Sequence, residues 1–426
     1  MKNLLFITLI DYGKSPNNRV HNIVKYLSQR FKNVTILYKP SVYYKSLIEQ
    51  FKYLFSFKLS VSKDNNIKIV KVKPFLDHSA GLGVTIVGLS SPYEEVLKSW
   101  LKRVSIKVLS FIGIITEISY LICYLLAFFI KVKDKFDVCI VQGHIEGVIG
   151  VWLKKLGKVK ILIYDDNDYT PGYAITNRLR RKFVACLESY SQKKVDLIIS
   201  VGFKLKELRE QQTGKKVEII QNGVDYQLFK QAQEKIPHPP TLIYIGYIGG
   251  WDGLDIILQA LPKVKKEISN IRILIVGRTT PLYEAYLKKL VQGLRLDDCV
   301  YFLGVKEYIE LPAYLKESDI GLAMFKPTEL RKYAFSLKVI EYISAGLPVI
   351  TTKGLEMEHF VNKYNCGEVV DFDKDKVAKS ITLLLKDKQR YNTYSHNAKK
   401  YSEEFDWDIL LKKEYDLIEQ CFHRVG

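Results

Sequence analysis

Short apolar runs alternate with amphipathic segments along most of the chain. Residues 3–10 (NLLFITLI), 160–164 (KILIY) and 241–250 (TLIYIGYIGG) contain runs typical of strands buried in a parallel sheet. Between such runs lie segments with helical spacing, for example residues 18–30, and residues 187–208 alternate helix, strand and helix. This alternation predicts an α/β protein whose sheets are mostly parallel.

The longest apolar segment covers residues 108–130 and carries a single charge, Glu117. Length and apolarity alone would allow a transmembrane helix. However, the segment stands between two predicted strands of one sheet, residues 67–72 and 138–143, so both of its ends must return to the same side. We therefore predict a buried crossover helix, with a helix dipping into one leaflet and a true span as the alternatives. Polar or small residues recur along it in three- and four-residue steps, as in a buried amphipathic helix: Ser110, Gly113, Glu117, Tyr120 and Tyr124.

Residues 41–63 interleave lysines with aromatic and aliphatic residues at positions that suggest a helix. Rings at headgroup depth and ammonium groups near anionic lipid would suit the membrane interface. A crossover helix packed on its own sheet explains the same pattern. The residues concerned are Lys45, Lys52 and Lys58 with Tyr44, Leu47, Phe51, Tyr53, Phe55 and Phe57.

Length and composition limit the class of protein. The 426 residues suit two domains of roughly 200 residues each. A hydrophobic content of 47% with 26% charged residues excludes a disordered or fibrous chain. The six cysteines stand far apart with no C-x-x-C pair, which indicates a reducing compartment and argues against a zinc ribbon or a disulfide framework. The apolar N-terminus has no small-residue cleavage site, so a first strand explains it better than a signal peptide does.

The net charge of +19 is concentrated in the first half of the chain. Residues 1–220 contain 36 Lys and Arg against 18 Asp and Glu, whereas residues 221–426 contain 29 against 28. The first half therefore faces an anionic partner, which we expect to be a membrane surface or a phosphate-bearing acceptor. No nucleic-acid-binding module is visible, so we expect no nucleic-acid partner.

Polar residues follow several predicted strands of the first half, at the sheet edge where ligands bind in open α/β sheets. After the first strand come Asp11, Lys14 and Arg19, which we predict as acceptor-binding residues against the alternative of a solvated loop. His144 follows a later strand and is a candidate to contact sugar or acceptor, although lone histidines are usually structural.

Three carboxylates, Asp165, Asp166 and Asp168, stand within four residues after the strand KILIY. Such a group is costly to hold together unless a ligand or a cation shares it. In one interpretation Asp168 or Asp166 orients the acceptor hydroxyl or stabilises positive charge on the sugar. In another, D-x-D ligates Mn²⁺ or Mg²⁺ that holds a diphosphate, and in a third the loop is capped and solvated.

Residues 333–351 (YAFSLKVIEYISAGLPVIT) combine a helix start, two placed charges and a stop. Ser336 can cap the helix, and the first-turn N–H groups would converge with the Lys338 ammonium on a diphosphate. Glu341 leaves the same helix more than one turn later, at a distance suited to sugar hydroxyls. Gly346 and Pro348 then end the helix. An ordinary amphipathic helix is the alternative for any isolated S-x-K-x-x-E motif.

This stretch resembles the donor-binding signature of the family 4 retaining glycosyltransferases, enzymes of the GT-B fold. Further segments occur in the order that this family uses. They are QNGVDYQLF (221–229), LDIILQAL (254–261), ILIVG (273–277), VYFLG (300–304) and LPAYLKESDIGL (311–322). The resemblance covers residues 196–410 and is looser before them.

The resemblance implies an α/β, GT-B architecture of two Rossmann-like domains whose parallel sheets face each other across a cleft. We expect an acceptor-binding domain at residues 1–221 and a nucleotide-sugar-binding domain at residues 222–405. The terminal helix, residues 406–426, would pack back on the first domain. The donor-binding residues it implies are Gly246, Tyr247, Arg278, Val305, Ser336, Leu337, Lys338 and Glu341.

Two departures from the family pattern concern the donor site. Tyr247 and Asp252 stand roughly where the family places the Arg and Lys that clamp the diphosphate, and Arg278 is our candidate for the missing charge. Tyr333 replaces the first of two glutamates eight residues apart, while Glu341 retains the second. Glu341 would bind the ribose hydroxyls, and the backbone at Val305 would contact the nucleobase.

The resulting prediction is a cytoplasmic glycosyltransferase, peripherally attached to the inner face of the membrane. It would move a hexose-type sugar from a nucleotide sugar to a lipid-linked or polysaccharide acceptor, with retention and without a metal or other cofactor. Asp168, Asp166 and His144 are its predicted catalytic residues. A non-catalytic nucleotide-sugar-binding protein on the same scaffold and a metal-dependent D-x-D enzyme are the alternatives.

Overall fold

The structure, a computed structural model, describes residues 2–12, 18–39, 58–73, 106–174 and 178–425. Within these ranges the chain divides into two compact units. The first contains the described residues up to Ile220 together with those from Leu411 onward, and the second is Gln221–Leu410. The sequence pattern placed the domain boundary near Asn222.

The first unit is built on an eight-stranded sheet. Its order is β3-β4-β2-β1-β5-β6-β7-β8, and every neighbouring pair is parallel except β3 with β4. The direction in which strands are added reverses between β1 and β5. The strands are β1 (Asn3–Thr8), β2 (Asn33–Tyr38), β3 (Lys58–Asp64), β4 (Ile67–Lys73), β5 (Phe136–Gln142), β6 (Val159–Asp166), β7 (Leu197–Ser200) and β8 (Val217–Ile219).

Helices cover this sheet and connect its strands. Asn18 begins α1 by accepting a hydrogen bond from the His21 backbone, as an N-cap residue does. Gly214, in the left-handed region at φ +68°, ends α5. The helices up to this point of the chain are α1 (Arg19–Ser28), α2 (Ile106–Ala127), α3 (His144–Lys155), α4 (Arg178–Gln192) and α5 (Phe203–Thr213).

The helix predicted over residues 41–63 is wrong at its C-terminal end. The structure shows a strand there, β3, which pairs antiparallel with β4 from Lys58–Lys73 to Asp64–Ile67. Its alternating Lys and Ser residues leave most of the strand exposed, and backbone pairing with β4 stabilises it. The remainder of the prediction lies outside the described residues.

The segment predicted as a crossover helix forms α2, which continues into a π-helical turn at Phe128–Val132. One side of it packs into the core of the first unit through Tyr120, Cys123, Tyr124 and Phe128. The Tyr124 hydroxyl donates a hydrogen bond to the carbonyl of Thr8 at 3.0 Å. The predicted burial of this crossover helix is therefore confirmed for the side that faces the core.

The second unit has a six-stranded, entirely parallel sheet in the order β11-β10-β9-β12-β13-β14. Strands are first added on one side of β9 and then, from β12, on the other. The strands are β9 (Thr241–Ile245), β10 (Arg272–Val276), β11 (Val300–Gly304), β12 (Ile320–Ala323), β13 (Val349–Thr352) and β14 (Gly367–Val370).

Ten helices begin in the second unit. Thr280 caps α8, whose first residue is Pro281, and Asp373 caps α13. They are α6 (Tyr226–Lys230), α7 (Leu254–Glu267), α8 (Pro281–Gly293), α9 (Leu311–Lys316), α10 (Glu329–Tyr333), α11 (Leu337–Ser344), α12 (Glu356–Tyr364), α13 (Lys374–Lys386), α14 (Lys388–Ser402) and α15 (Trp407–Val425). Leu258, Leu261, Ile381 and Leu384 bring α7 and α13 into the core beneath the sheet.

The terminal helix α15 starts at Trp407, within one residue of the start predicted at residue 406. Glu403–Phe405 forms a 3-10 turn, and Asp406 is extended and accepts a hydrogen bond from the Asp408 backbone. From Leu411 onward the helix belongs to the first unit. There Glu419 forms an ion pair with Lys2 at 2.8 Å.

Candidate functional site

The candidate site of the second unit lies at the edge where β9, β10 and β12 end. In open α/β sheets this edge binds ligands where the strand order reverses, here between β9 and β12. Gly246 and Gly277 follow β9 and β10 with φ values of +126° and +145°. A Cβ atom on Gly277 would lie 1.7 Å from the carbonyl oxygen of Gly246. The two loops therefore pack backbone against backbone, which a side chain at Gly277 would prevent.

Lys338 places its ammonium group at this reversal point. Its Nζ lies 3.7 Å from the centre of the Tyr244 ring on β9 and 5.2 Å from that of Phe325, just after β12. Burial lowers the pKa of Lys338 to about 8. Across the described parts of the chain, no carboxylate approaches the ammonium within 4.0 Å. A buried cation without an ion-pair partner is available to an anionic ligand.

Ser336 precedes α11 with extended backbone angles, as an N-cap residue does. Its side chain makes no capping hydrogen bond, and its carbonyl accepts a hydrogen bond from the Val339 N–H at 3.2 Å. Lys338 is the second helical residue, and a Cβ atom on Gly246 would lie 3.4 Å from its Nζ. Lys338 and the glycine loop after β9 therefore lie together, and their role in binding a diphosphate stays a prediction. Leu337 begins the helix and is 39% exposed.

Glu341 is the second charged group of α11. Burial raises the pKa of Glu341 to about 7, and Lys338 partly opposes the shift. Its charge also contributes to the raised pKa of Tyr308, for which burial is the larger cause. No ion pair to the Glu341 carboxylate is present among the residues that the structure describes. Lys338 and Glu341 are thus opposite charges on one short helix, and neither is neutralised by a salt bridge.

Arg331 on α10 is a cation at this site that the sequence analysis missed. Its guanidinium carbon lies 4.9 Å from the centre of the Phe325 ring, the ring that Lys338 also approaches. It makes a 3.4 Å contact with Asp252, and its buried Nε has no hydrogen-bond partner within the described ranges of the chain. The available signal was the basic pair Arg331–Lys332 just before the motif, which sequence spacing alone does not bring next to Phe325.

The other predicted donor residues line the same sheet edge. Tyr247 is 40% exposed and stacks on Trp251 with 5.7 Å between ring centres. Arg278 follows β10 and lies 6.0 Å from the Tyr247 ring, so it neighbours the aromatic pair. Val305 follows β11 and is 66% exposed. The roles predicted for these residues stay predictions.

In the first unit, the acidic residues at the end of β6 are bound by arginines of the protein. Asp165 is fully buried and accepts hydrogen bonds from Arg19 at 2.8 Å and from Gln142 at 2.6 Å. Arg19, which the sequence predicted as an acceptor-binding residue, is itself buried and also contacts Glu414 at 3.4 Å. Its acceptor role stays a prediction, although its side chain is already engaged.

Asp166 has an equivalent partner in Arg209 on α5. The Arg209 Nε donates to Asp166 at 2.7 Å, and the other side of the guanidinium lies 2.7 Å from Glu188. All three side chains are buried. Arginine side chains therefore provide the positive charge that compensates Asp165 and Asp166. Both aspartates lie at the end of the strand rather than in the predicted loop. Asp168 is the partly exposed member of the group.

His144 begins α3 and is buried in an ion-pair cluster. Its Nε2 lies 3.0 Å from Glu117 of α2, and Arg180 donates to the other oxygen of Glu117 at 2.7 Å. Burial lowers the pKa of His144, but Glu117 and the nearby Glu146 and Glu188 raise it by more. Among the residues that the structure describes, the Nδ1 atom of His144 has no hydrogen-bond partner. The sequence predicted His144 without identifying Glu117 as the group that orients it.

Two further acceptor candidates follow β1. Asp11 is partly exposed, and Lys14 lies outside the described residues. No group of three or more His, Cys, Asp or Glu side chains arranged to hold a metal ion occurs in the ranges that the structure covers.

Part of the chain is similar to a known protein family. Residues 225–401 match the family described as Glycosyl transferases group 1. The chain is also similar to a putative teichuronic acid biosynthesis glycosyltransferase, TuaH of Bacillus subtilis, at 26% identity over 242 residues. That match covers 55% of this chain and 56% of TuaH, and the chain spans about half the length of the curated relatives it matches.

Solved structures resemble the whole chain. Sucrose-phosphate synthase from Thermosynechococcus elongatus matches with a TM-score of 0.69 at 16% identity, over 100% of both chains. Anabaena HepE in complex with UDP-glucose matches with a TM-score of 0.65 at 14% identity, over 99% of this chain and 100% of HepE. The fold class predicted from the sequence is thereby confirmed, since the protein has the GT-B fold with two Rossmann-like α/β units.

Proposed function

We propose that the protein is a glycosyltransferase that binds a nucleotide sugar on its second unit. The observation that carries this proposal is a pair of charges on α11 beside the β9–β12 edge, the buried Lys338 and the partly buried Glu341. Neither has a salt-bridge partner among the described residues. A nucleotide sugar offers both charges a partner, because its diphosphate is anionic and its ribose has hydroxyl groups. The group 1 domain and the structural likeness to HepE with UDP-glucose support the same ligand class.

The proposed reaction transfers a hexose-type sugar with retention. The bond between the anomeric carbon and the diphosphate oxygen breaks, a bond to an acceptor hydroxyl oxygen forms, and the acceptor proton is released. Lys338 and the start of α11 stabilise the charge that develops on the leaving diphosphate. Arg331 and Arg278 are the candidates for a second positive charge. No metal is required in this proposal, because these groups supply the positive charge at the diphosphate.

We further propose a lipid-linked or polysaccharide acceptor, bound by the first unit. The similarity to TuaH, whose name places it in teichuronic acid biosynthesis, supports a glycan acceptor. The excess of positive charge in residues 1–220 supports an acceptor that carries phosphate. Asp168, Asp166 and His144 remain the proposed groups on the sugar side, with Asp166 oriented by Arg209 and His144 by Glu117.

The test begins with ligand binding to the full chain without added metal. UDP-, GDP-, ADP- and dTDP-sugars are compared by thermal shift, since a ligand at about one hundred times its Kd stabilises the folded state by about 2.7 kcal/mol. We expect one nucleotide class to raise the Tm of the wild type and to lose that effect in Glu341→Ala. Glu267→Ala is the matched control, because Glu267 ends α7 at the opposite edge of the sheet and is exposed.

Turnover then separates an enzyme from a binding protein. The stabilising nucleotide sugar should be transferred, or slowly hydrolysed, with EDTA present. NMR of the anomeric proton of the product reports retention or inversion. If no nucleotide sugar stabilises the protein, even with Mn²⁺ added, the donor-site assignment is wrong. Binding without transfer or hydrolysis would support the non-catalytic alternative, and activity lost in EDTA would support a metal-dependent enzyme.

A further inference from the structure

Helix α2 has polar side chains on the side that faces the protein and apolar side chains on the side that faces the solvent. Its inward side carries Glu117 and the hydroxyl-bearing Tyr120 and Tyr124, all at most 2% exposed. Where the structure describes the side chains, from Ile114 onward, the outward side of α2 is apolar. The outward residues follow one another in one-, three- and four-residue steps and are each 37–49% exposed: Ile115, Ile118, Ile122, Leu126, Phe129 and Ile130. A surface helix of a soluble domain normally has the reverse arrangement.

The polar side fixes how α2 is rotated. Glu117 contacts His144 of α3 and Arg180 of α4, and Tyr124 donates to Thr8 at the end of β1. The segment Ile114–Val132, with a mean hydropathy of 1.8, is long and apolar enough to cross a membrane by length and composition, and 44% of it is buried in the protein. Crossing would separate Glu117 from both partners and leave a charge in hydrocarbon. The helix is therefore held against its sheet, with the apolar outer face exposed.

Basic residues lie at both ends of this outer face. Three exposed lysines follow α2, and the first turn of α4, which Arg180 joins to α2, adds two exposed cations beside Leu179, itself 63% exposed. Asp134 is the exposed acid between the lysines. An apolar stripe between cations suits a bilayer surface with anionic lipids, where apolar side chains enter the interface and cations meet headgroups. The five cations are Lys131, Lys133, Lys135, Arg178 and Lys182.

We propose that the outer face of α2 docks on an anionic lipid bilayer, with the helix lying in the plane of the interface. The charge arrangement selects this occupant over a second copy of the chain, since two such faces would bring cations of the same sign together. The proposal goes beyond the donor chemistry of the second unit and does not depend on it. It assigns the contact surface for the membrane attachment that the basic first half predicts.

Sedimentation with vesicles of phosphatidylcholine, alone or with about 30 mol% phosphatidylglycerol, tests this surface. We expect the wild-type chain to bind the anionic vesicles. The double variant Ile118→Asn with Ile122→Asn should bind them with about tenfold lower affinity. The matched control, Ile236→Asn with Ile309→Asn, changes two exposed isoleucines of the second unit, 45% and 74% exposed, and should bind like the wild type. Lys131→Gln with Lys133→Gln should weaken binding and reduce its salt dependence.

Unchanged binding in the α2 variant would overturn the proposal, as would equal binding to neutral and anionic vesicles. Absence of vesicle binding, with a dimer that the α2 substitutions dissociate in analytical ultracentrifugation, would identify a second copy as the occupant. Thermal unfolding of each variant confirms that it folds. The nucleotide-induced Tm shift reports on the second unit, so loss of vesicle binding with that shift retained separates the two proposals.

Discussion

The two units treat buried charge in opposite ways. In the first unit, the charged side chains at the strand ends are bound to each other, as in Arg19 with Asp165 and Arg209 with Asp166. In the second unit, the buried Lys338 and the partly buried Glu341 lie on one helix, and neither forms a salt bridge among the described residues. In the first unit, ion pairs within the protein offset the cost of desolvating these charges. In the second unit, that cost is not offset until a ligand binds.

This difference separates charges that the protein itself compensates from charges that are left to a ligand. Removing one member of a buried ion pair leaves its partner uncompensated, so folding suffers. Removing a buried charge that has no partner relieves desolvation, so folding gains or stays the same, and only ligand binding suffers. The three predictions below test this contrast, from the largest expected effect to the smallest.

The largest effect is expected for Arg209→Met. The substitution leaves Asp166 and Glu188 buried without their cation and should lower the unfolding free energy by about 3–5 kcal/mol, measured as the shift of the urea midpoint. Lys206→Met on the same helix is the control, because Lys206 is 29% exposed and its pair with Glu210 contributes at most about 0.5 kcal/mol. Adding Asp166→Asn and Glu188→Gln should recover part of the loss. A midpoint that does not move would show that this cluster is not structural.

A smaller effect is expected for Lys338→Met, which should weaken ligand binding without lowering stability. The Kd for the preferred nucleotide should rise about 10- to 100-fold, the value of a charge-assisted hydrogen bond, while the Tm without ligand stays the same or rises. Titration calorimetry and thermal unfolding measure the two quantities. Lys332→Met, an exposed lysine on α10, should change neither. A lower Tm with an unchanged Kd would place Lys338 among the structural charges instead.

The smallest effect concerns pH. Because the pKa of Glu341 is raised to about 7 and that of Lys338 is lowered to about 8, nucleotide affinity should be greatest between these values. Below about 7 Glu341 gains a proton, and above about 8 Lys338 loses one, so affinity falls by at most about tenfold per pH unit on either side. Lys338→Arg should move the alkaline decrease to higher pH, since arginine keeps its charge. An affinity that stays flat from pH 6 to about 9 would contradict this.

The same pKa shifts predict that the stability of the ligand-free protein depends on pH in the opposite way to the nucleotide affinity. Glu341 holds its proton in the folded state up to about pH 7, whereas the unfolded chain loses it near 4.5, so its contribution to stability is lost as the pH rises through this range. Lys338 loses its proton near pH 8 in the folded state and near 10.5 in the unfolded chain, so its contribution increases above about pH 8. Stability and affinity should therefore respond to pH in opposite directions.

How well the sequence predicted the molecule depended on whether the signal was local. The start of α11, the spacing of Lys338 and Glu341, and most strands follow from periodicity and caps within a few residues. The partners of Asp165 and Asp166 come from positions 146 and 43 residues away, so no local pattern identifies Arg19 and Arg209 as their cations.

Two other differences have the same origin. Arg331 reaches the site because α10 brings it beside Phe325, a contact that spacing does not specify. The polar stripe of α2 was visible in the sequence, but a helical stripe does not say which side faces the sheet. The structure places Glu117 and the tyrosines inward because His144, Arg180 and Thr8 offer them partners there.

The C-terminal helix bears on how the protein is made. The first unit includes Leu411 and the residues after it, and the buried Glu414 beside Arg19 is part of its interior. During synthesis, Ile220 leaves the ribosome about 200 residues before this helix, an interval on the order of 10–40 s at roughly 5–20 residues per second. The second unit is thus translated while the first is still incomplete. A nascent chain arrested before Glu414 should hold a first unit that proteases cut and a second unit that they spare.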